Sequence, residues 1–252
     1  MISAKEISKF YQEKPVLDHV DLDIPQGKLV AFIGPNGAGK STFLSLVSRL
    51  QSQSSGEIYL DHEEVRTWKS KALAKKLAIL KQSNGIQLNI TVRELVAFGR
   101  YPYSRGRLSA EDETIIDNAL IQMELSEMAE RSIHTLSGGQ LQRVYIAMIL
   151  AQDTDYILLD EPLNNLDMNH ANQMMHLLQK LVREKQKTIV IVLHDINFAA
   201  GFADHIVAMK DGKVFADGST EEIIQPEIIN RLYGMNIKIC EIDGKRFCMY
   251  FQ

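Results

Sequence analysis

A chain of 252 residues, 45% hydrophobic and 24% charged, has the length of one large domain or one domain with a sizeable insertion, and the composition of a folded protein rather than a low-complexity one. Its 28 basic and 32 acidic residues leave a formal net charge of -4, which gives no electrostatic reason to expect a nucleic-acid partner. The opening MISAKEISKFYQ lacks a continuous apolar segment and the longest apolar run, 144–151, falls far below the ~18 residues of a membrane-spanning helix, so a cytoplasmic chain without a span is expected.

In chain order, β-branched and apolar runs predict strands at 7–11, 20–24, 29–33, 57–60 and 78–82. From residue 85 the pattern changes: 91–98, 111–123 and 138–151 read as helices with no buried strand among them, which predicts a helical lobe inserted in an α/β core. The charged runs SRGR (104–107) and SAEDE (109–113) read as solvated connectors. Strands resume at 156–160, 188–193 and 205–209. Between the first two lies a predicted helix over 168–184, with Ala171, Met174, Met175, Leu178, Leu181 and Val182 on one stripe, read as core. The runs 29–33, 156–159 and 188–193 are too continuously apolar to have a wet face and read as parallel strands buried on both sides. Near the end, Asp243-Gly244 marks a hairpin turn that sets Cys240 opposite Phe247 and Cys248 opposite Ile239, so both cysteines read as reduced packing residues. The seven His have no metal-ligand spacing, and no structural zinc is implied.

Two stretches read as phosphate cradles. GPNGAGKST, comprising Gly34, Pro35, Asn36, Gly37, Ala38, Gly39, Lys40, Ser41 and Thr42, follows a buried strand and opens a helix, the context a P-loop requires. Its glycines let backbone N–H groups close around phosphate oxygens, Lys40 can span the β- and γ-phosphates, and Ser41 can ligate magnesium. YILLDEP supplies the carboxylates such a site needs: Asp160, ending a strand, fits the magnesium role, and Glu161 is placed to orient or deprotonate an attacking water. His194, after the next buried strand, is either structural or a γ-phosphate contact. In the second stretch, HTLSGGQLQRV, Ser137 and Gln140 have capping-box spacing, so Ser137 starts a helix. With Gly138 and Gly139 clearing an approach to its N–H groups, that start is an anion site or simply a well-capped helix.

At this point nearly the whole chain resembles the ATP-binding cassette ATPases. LSGGQ at 136–140 is similar to their signature motif, GPNGAGKST to their Walker A and YILLDE to their Walker B; Gln82 matches the Q-loop glutamine, NNLD ending at Asp167 the D-loop, His194 the switch histidine and Tyr11 the aromatic that stacks on adenine. Tyr11 is equally readable as edge packing. Many members have Ser-Ala where this chain has Asn164-Asn165, which puts contacts by those two side chains in doubt. The resemblance implies an α/β fold: a P-loop NTPase domain with a RecA-like core, an antiparallel β subdomain and an inserted helical subdomain. It divides the chain into a catalytic core with C-terminal hairpin at 1–84 and 151–252, and a signature subdomain at 85–150. It also implies ATP and magnesium as cofactors, the metal held by Ser41, Gln82 and Asp160. Catalysis falls to Glu161, His194 and Gln82, and nucleotide binding to Tyr11, residues Gly34 to Thr42, Ser137, Gly138, Gly139, Gln140 and Asp167.

In the family each ATP lies between the P-loop of one domain and the signature loop of another, so one copy of each motif implies a homodimer. The importers of the family work through integral membrane permease subunits and an extracytoplasmic substrate-binding protein, which implies a peripheral place on the cytoplasmic face of the membrane. VAFGRYPYSRG (96–106) and the segments 151–167 and 193–218 resemble the branch serving ferric siderophores, haem and cobalamin, with ferric-siderophore ATPases the nearest. A soluble non-transport ABC ATPase is the alternative of another class; a P-loop kinase would leave residues 136–140 unexplained.

Overall fold

The computed structural model describes residues 1–81 and 88–250, which fall into two compact units, Met1–Trp68 with Met175–Gln252, and Lys69–Met174. In the first unit an antiparallel layer runs in the order Lys14–Ile24, Ile2–Tyr11, Ser55–Leu60 and Glu63–Glu64. Its inward face is built by Ile2, Ala4, Ile7, Leu17, Val20, Leu22, Ile24, Ile58 and Leu60, all buried. Burying each Ile or Leu contributes ~1.5–3 kcal/mol, so a one-residue slip that turned these side chains outward would be strongly disfavoured.

The same unit holds a second group of strands in the order Lys213–Ser219, His205–Lys210, Leu29–Ile33 and Thr188–Val192. Leu29–Ile33 is parallel to both of its neighbours and buried along its whole length, as is Thr188–Val192, matching the unbroken apolar runs. The helix Lys40–Val47 packs back on this group, with Phe43 stacked on Phe32 at 5.4 Å between ring centroids. The strand Lys213–Ser219 was not predicted: it pairs antiparallel with His205–Lys210, and its exposed Lys213 and Asp217 and half-buried neighbours dilute the apolar signal.

In the second unit Leu77–Leu80 pairs in parallel with Tyr156–Asp160. Helices Val92–Ala97, Ala110–Gln122 and Gly138–Gln152 meet through buried Val92, Leu95, Val96, Ile116, Leu120, Val144 and Ile149. Gln152 donates to the carbonyls of Ala74 at 2.7 Å and Leu77 at 3.3 Å, and Lys76 meets Asp155 at 2.7 Å, so the parallel pair groups with the helices. The helix Met168–Lys185 buries its predicted stripe, Ala171, Met174, Met175, Leu178, Leu181 and Val182.

The run SAEDE is not a solvated connector. Ser109 caps the helix Ala110–Gln122 in a capping box with Asp112, and Asp112 is buried against Arg100 at 2.7 Å. The expectation failed because the partner cation lies 12 positions upstream. The C-terminal hairpin, Lys238–Ile242 with Lys245–Met249, turns at Asp243 and Gly244, both at positive φ, and has the predicted register: Cys240 opposite Phe247, Cys248 opposite Ile239, both thiols free. No helix among the described residues is long and apolar enough to cross a membrane.

Candidate active site

In the first unit the strand Leu29–Ile33 delivers the chain to Gly34. A Cβ at Gly34 (φ 136°) would lie 2.0 Å from the carbonyl oxygen of Met209, so only glycine leaves the sheet at this point. The loop closes on itself where the Ala38 N–H donates to Pro35 at 3.2 Å. Asn36 and Gly37 stand exposed at its crest, while Pro35, Ser41 and Thr42 are half-buried. Lys40 is only 5% exposed, and its ammonium donates to the carbonyls of Gly34 at 2.7 Å and Pro35 at 2.9 Å. A cation held against the loop, ahead of the N–H groups of Lys40–Val47, gives phosphate oxygens a positive, donor-rich surface.

Two other predicted residues belong to this unit. Tyr11 ends the strand Ile2–Tyr11 as an exposed ring; its phenol donates to the Gln51 side chain, and the Lys9 ammonium lies 5.3 Å from the ring centroid. His194 is exposed just beyond Thr188–Val192. The Leu193 N–H donates to Phe32 at 3.1 Å on one side of it, and on the other Asp195 caps the helix Ile196–Phe202 by accepting from the Asn197 N–H at 2.8 Å.

The second unit carries Asp160, Glu161, Asp167 and Ser137 through Gln140. Asp160 is 5% exposed at the carboxyl end of its strand. The next residue, Glu161, adopts φ 52° and is half-buried, its carboxylate accepting from the Asn164 amide at 2.8 Å. Ser137 and Gln140 form the predicted capping box: the Gln140 N–H donates to the Ser137 hydroxyl at 3.2 Å and the Ser137 N–H to the Gln140 side chain at 3.0 Å. Ser137 and Gly138 are exposed. The segment after Glu161 abuts this helix: Gln142 donates to the Pro162 carbonyl at 3.0 Å, and a Cβ at Gly139 would stand 2.8 Å from the Asn165 carbonyl oxygen. Asp167 accepts from the His170 N–H at 2.9 Å and meets the His170 ring at 2.7 Å; the backbone bond first and the ring second hold its carboxyl below the ordinary carboxylate range. Gln82 lies outside the described residues.

Asn164, which entered the sequence reading only as a departure from a pattern, is the partner of the Glu161 carboxylate. An amide three positions after a carboxylate in a loop is the one sequence signal for it.

A glycine loop closed around a buried lysine at the end of a buried parallel strand, in a chain whose other buried strands end in Asp160-Glu161 and at His194, defines a P-loop ATPase. A family model described as ABC transporter matches residues 17–164, and the chain belongs to that family. It is 51% identical over 251 residues, the full length of both chains, to the petrobactin import ATP-binding protein YclP of Bacillus subtilis. It is 40% identical to the ferric enterobactin transport ATP-binding protein FepC of Escherichia coli, covering 95% of this chain and 89% of that one. A dimeric ATP-binding cassette in a post-hydrolysis state with ADP and Pi matches with TM-score 0.79 and 35% identity, over 87% of this chain and 99% of the other. The fold is also that of an inward-facing metal-chelate type ABC transporter, with TM-score 0.82 at 24% identity over 98% of this chain and 95% of that one. The chain is thus an ATP-binding ATPase with the fold of an ABC cassette.

Proposed function

We propose that this protein is the ATP-hydrolysing subunit of an ABC importer for ferric siderophores. The observation that carries the reading is the match along the full length of both chains to an ATPase named for petrobactin import, supported by a second relative named for ferric enterobactin transport. In this reading two copies of the chain pair head to tail, dock on integral membrane permeases at the cytoplasmic face, and receive cargo through an extracytoplasmic binding protein. Residues 85–150 serve as the signature subdomain, and 1–84 with 151–252 as the catalytic core.

The roles follow from the chemistry of each group. The loop Gly34 to Thr42 wraps the phosphates, with Lys40 bearing the positive charge they need, and Tyr11 stacks on adenine. Ser137, Gly138, Gly139 and Gln140 present the capped start of Gly138–Gln152 to the nucleotide on the other copy's P-loop. Asp167 lines the same junction. Ser41, Asp160 and Gln82 are oxygen donors of the kind magnesium takes, and the buried Asp160 at a strand end suits that charge. The metal, when bound with ATP, neutralises charge on the transferring phosphate. Glu161 accepts the proton of the attacking water with its carboxylate aimed by Asn164, while His194 and Gln82 contact the γ-phosphate side.

Co-purification with the permease, followed by ATP-dependent uptake of ferric siderophores, haem and cobalamin into vesicles, tests the reading. Uptake of ferric chelates alone is expected. Uptake of haem or cobalamin would move the cargo within the transport class, and failure to associate with any permease would favour a soluble ABC ATPase.

A further inference from the structure

The last residues of Ile2–Tyr11 leave the regular sheet. On one side the ladder with Lys14–Ile24 shifts register on either side of Lys9 before it ends with Tyr11 opposite Lys14. On the other side the pairing with Ser55–Leu60 stops at Ser8, opposite Ser55. The segment 51–54 takes over there. The Ser54 N–H donates to the Ser8 carbonyl at 2.8 Å and the Phe10 N–H to the Ser54 hydroxyl at 3.1 Å. The Lys9 ammonium donates to the Ser52 carbonyl at 2.6 Å, and the Tyr11 phenol to Gln51 Oε1. None of the sequence motifs marks these contacts.

The same segment is fastened to the helix that opens at the P-loop. The Gln51 N–H donates to the Ser45 carbonyl at 3.1 Å, and the buried Ser45 donates its hydroxyl to the Ser41 carbonyl at 2.8 Å, one turn earlier in Lys40–Val47. Gln51 therefore joins two parts of one unit, its backbone to the helix behind the phosphate loop and its side chain to the tip of the Tyr11 ring. The Lys9 ammonium supplies a second hold, 5.3 Å from the ring centroid, and Tyr11 stays 46% exposed.

We propose that Gln51 is a positioning residue for the base end of the nucleotide: it tethers the Tyr11 ring to the P-loop helix, so that adenine and phosphates are met at a set separation. An untethered tyrosine ring gives up freedom about two torsions when a base stacks on it. A ring already held at its tip has given up much of that freedom beforehand, and binding costs less. Lys9 shares the task, so loss of the Gln51 bond has a graded effect. The inference rests on the reading of Tyr11 as the residue that stacks on adenine.

The test is a double-mutant cycle on nucleotide binding by the full chain, titrated with magnesium ATP and, by competition, with inorganic triphosphate, which can engage the P-loop but carries no base. Gln51→Ala is expected to weaken ATP binding roughly 3- to 10-fold, the scale of one lost hydrogen bond, and to leave triphosphate binding like the parent's. Tyr11→Phe keeps the ring and removes only its oxygen, so it should match Gln51→Ala, and the two changes together should cost no more than either alone. Parent-like ATP binding in Gln51→Ala beside a loss in Tyr11→Ala, equal losses for ATP and triphosphate, or additive losses in the cycle overturns the positioning role. Parent-like ATP binding in Tyr11→Ala overturns the reading of Tyr11 instead. Should Gln51→Ala fail to fold, Tyr11→Phe carries the test, and parent-like ATP binding there, beside a loss in Tyr11→Ala, overturns the tether.

Discussion

Glu161 leaves a fully buried strand in a left-handed conformation (φ 52°) that costs a non-glycine residue roughly 1–3 kcal/mol, and the Asn164 amide holds the carboxylate this turn presents. If that carboxylate takes the proton of the attacking water, Glu161→Gln binds ATP like the parent and hydrolyses it roughly 10²–10⁴ times more slowly. Single-turnover hydrolysis beside a nucleotide titration reads both quantities, and parent-like turnover would move the base elsewhere, to His194 first. A second residue-scale consequence concerns Asp112, buried against Arg100, whose guanidinium also donates to the Ala151 carbonyl at 2.9 Å. The Ser109 backbone first and Arg100 second hold the Asp112 carboxyl below its ordinary range. A lowered carboxyl value stabilises the fold fully above the unfolded value of ~3.9 and loses that contribution as pH falls through the folded value. Asp112→Asn strands a buried guanidinium and is expected to cost ~3–5 kcal/mol at pH 7, with a shallower further loss towards pH 2 than the parent shows. Urea midpoints at both pH values check it; equal acid slopes in the two proteins would mean the pair does not titrate with folding.

At the scale of elements, Gly138 and Gly139 open the same helix in different surroundings. A Cβ at Gly138 would meet only Asn165 side-chain atoms at 3.7 Å and beyond, whereas one at Gly139 would press on the Asn165 carbonyl at 2.8 Å. Gly138→Ala should be neutral or stabilising by up to ~1 kcal/mol, while Gly139→Ala should lower the unfolding midpoint and, by shifting the segment after Glu161, the hydrolysis rate as well. Equal midpoints would mean that segment yields freely. Much of this was legible beforehand. The strands Leu29–Ile33 and Tyr156–Asp160 carry continuous apolar runs, and the capping box at Ser137 and the turn at Asp243-Gly244 are local rules that hold without tertiary help. Hidden were features whose signal is split along the chain. Lys213–Ser219 is half-exposed and gains its identity from the strand beside it; the Arg100–Asp112 and Asn197–Cys248 contacts join residues 12 and 51 positions apart, and neither partner alone marks the other.

For the molecule as a whole, the question is why one chain carries both a P-loop and a glycine-opened, capped signature helix. The former lies in the unit Met1–Trp68 with Met175–Gln252 and the latter in Lys69–Met174. In a head-to-tail pair each nucleotide needs the P-loop of one copy and the signature helix of its partner, so two differently disabled chains can complement each other. Lys40→Ala removes the buried ammonium from its P-loop, and Ser137→Arg places bulk at an exposed helix start whose cap is worth ~1 kcal/mol, a loss the fold can survive. Each variant alone has no complete site. Mixed, one junction inherits both defects, while the other joins the sound P-loop of the Ser137→Arg chain to the sound signature helix of the Lys40→Ala chain. Partial recovery of ATP-dependent dimerisation, or of slow hydrolysis with the permease present, is therefore expected. If Ser137 and Gly139 served the P-loop of their own chain, no mixture would contain an intact site, and mixed dimers shown to form without recovering either signal would rule the shared arrangement out. The dimerisation readout decides the matter even where hydrolysis stays silent, since turnover can require both junctions to work together whereas ATP-driven closure needs one nucleotide held between two sound surfaces.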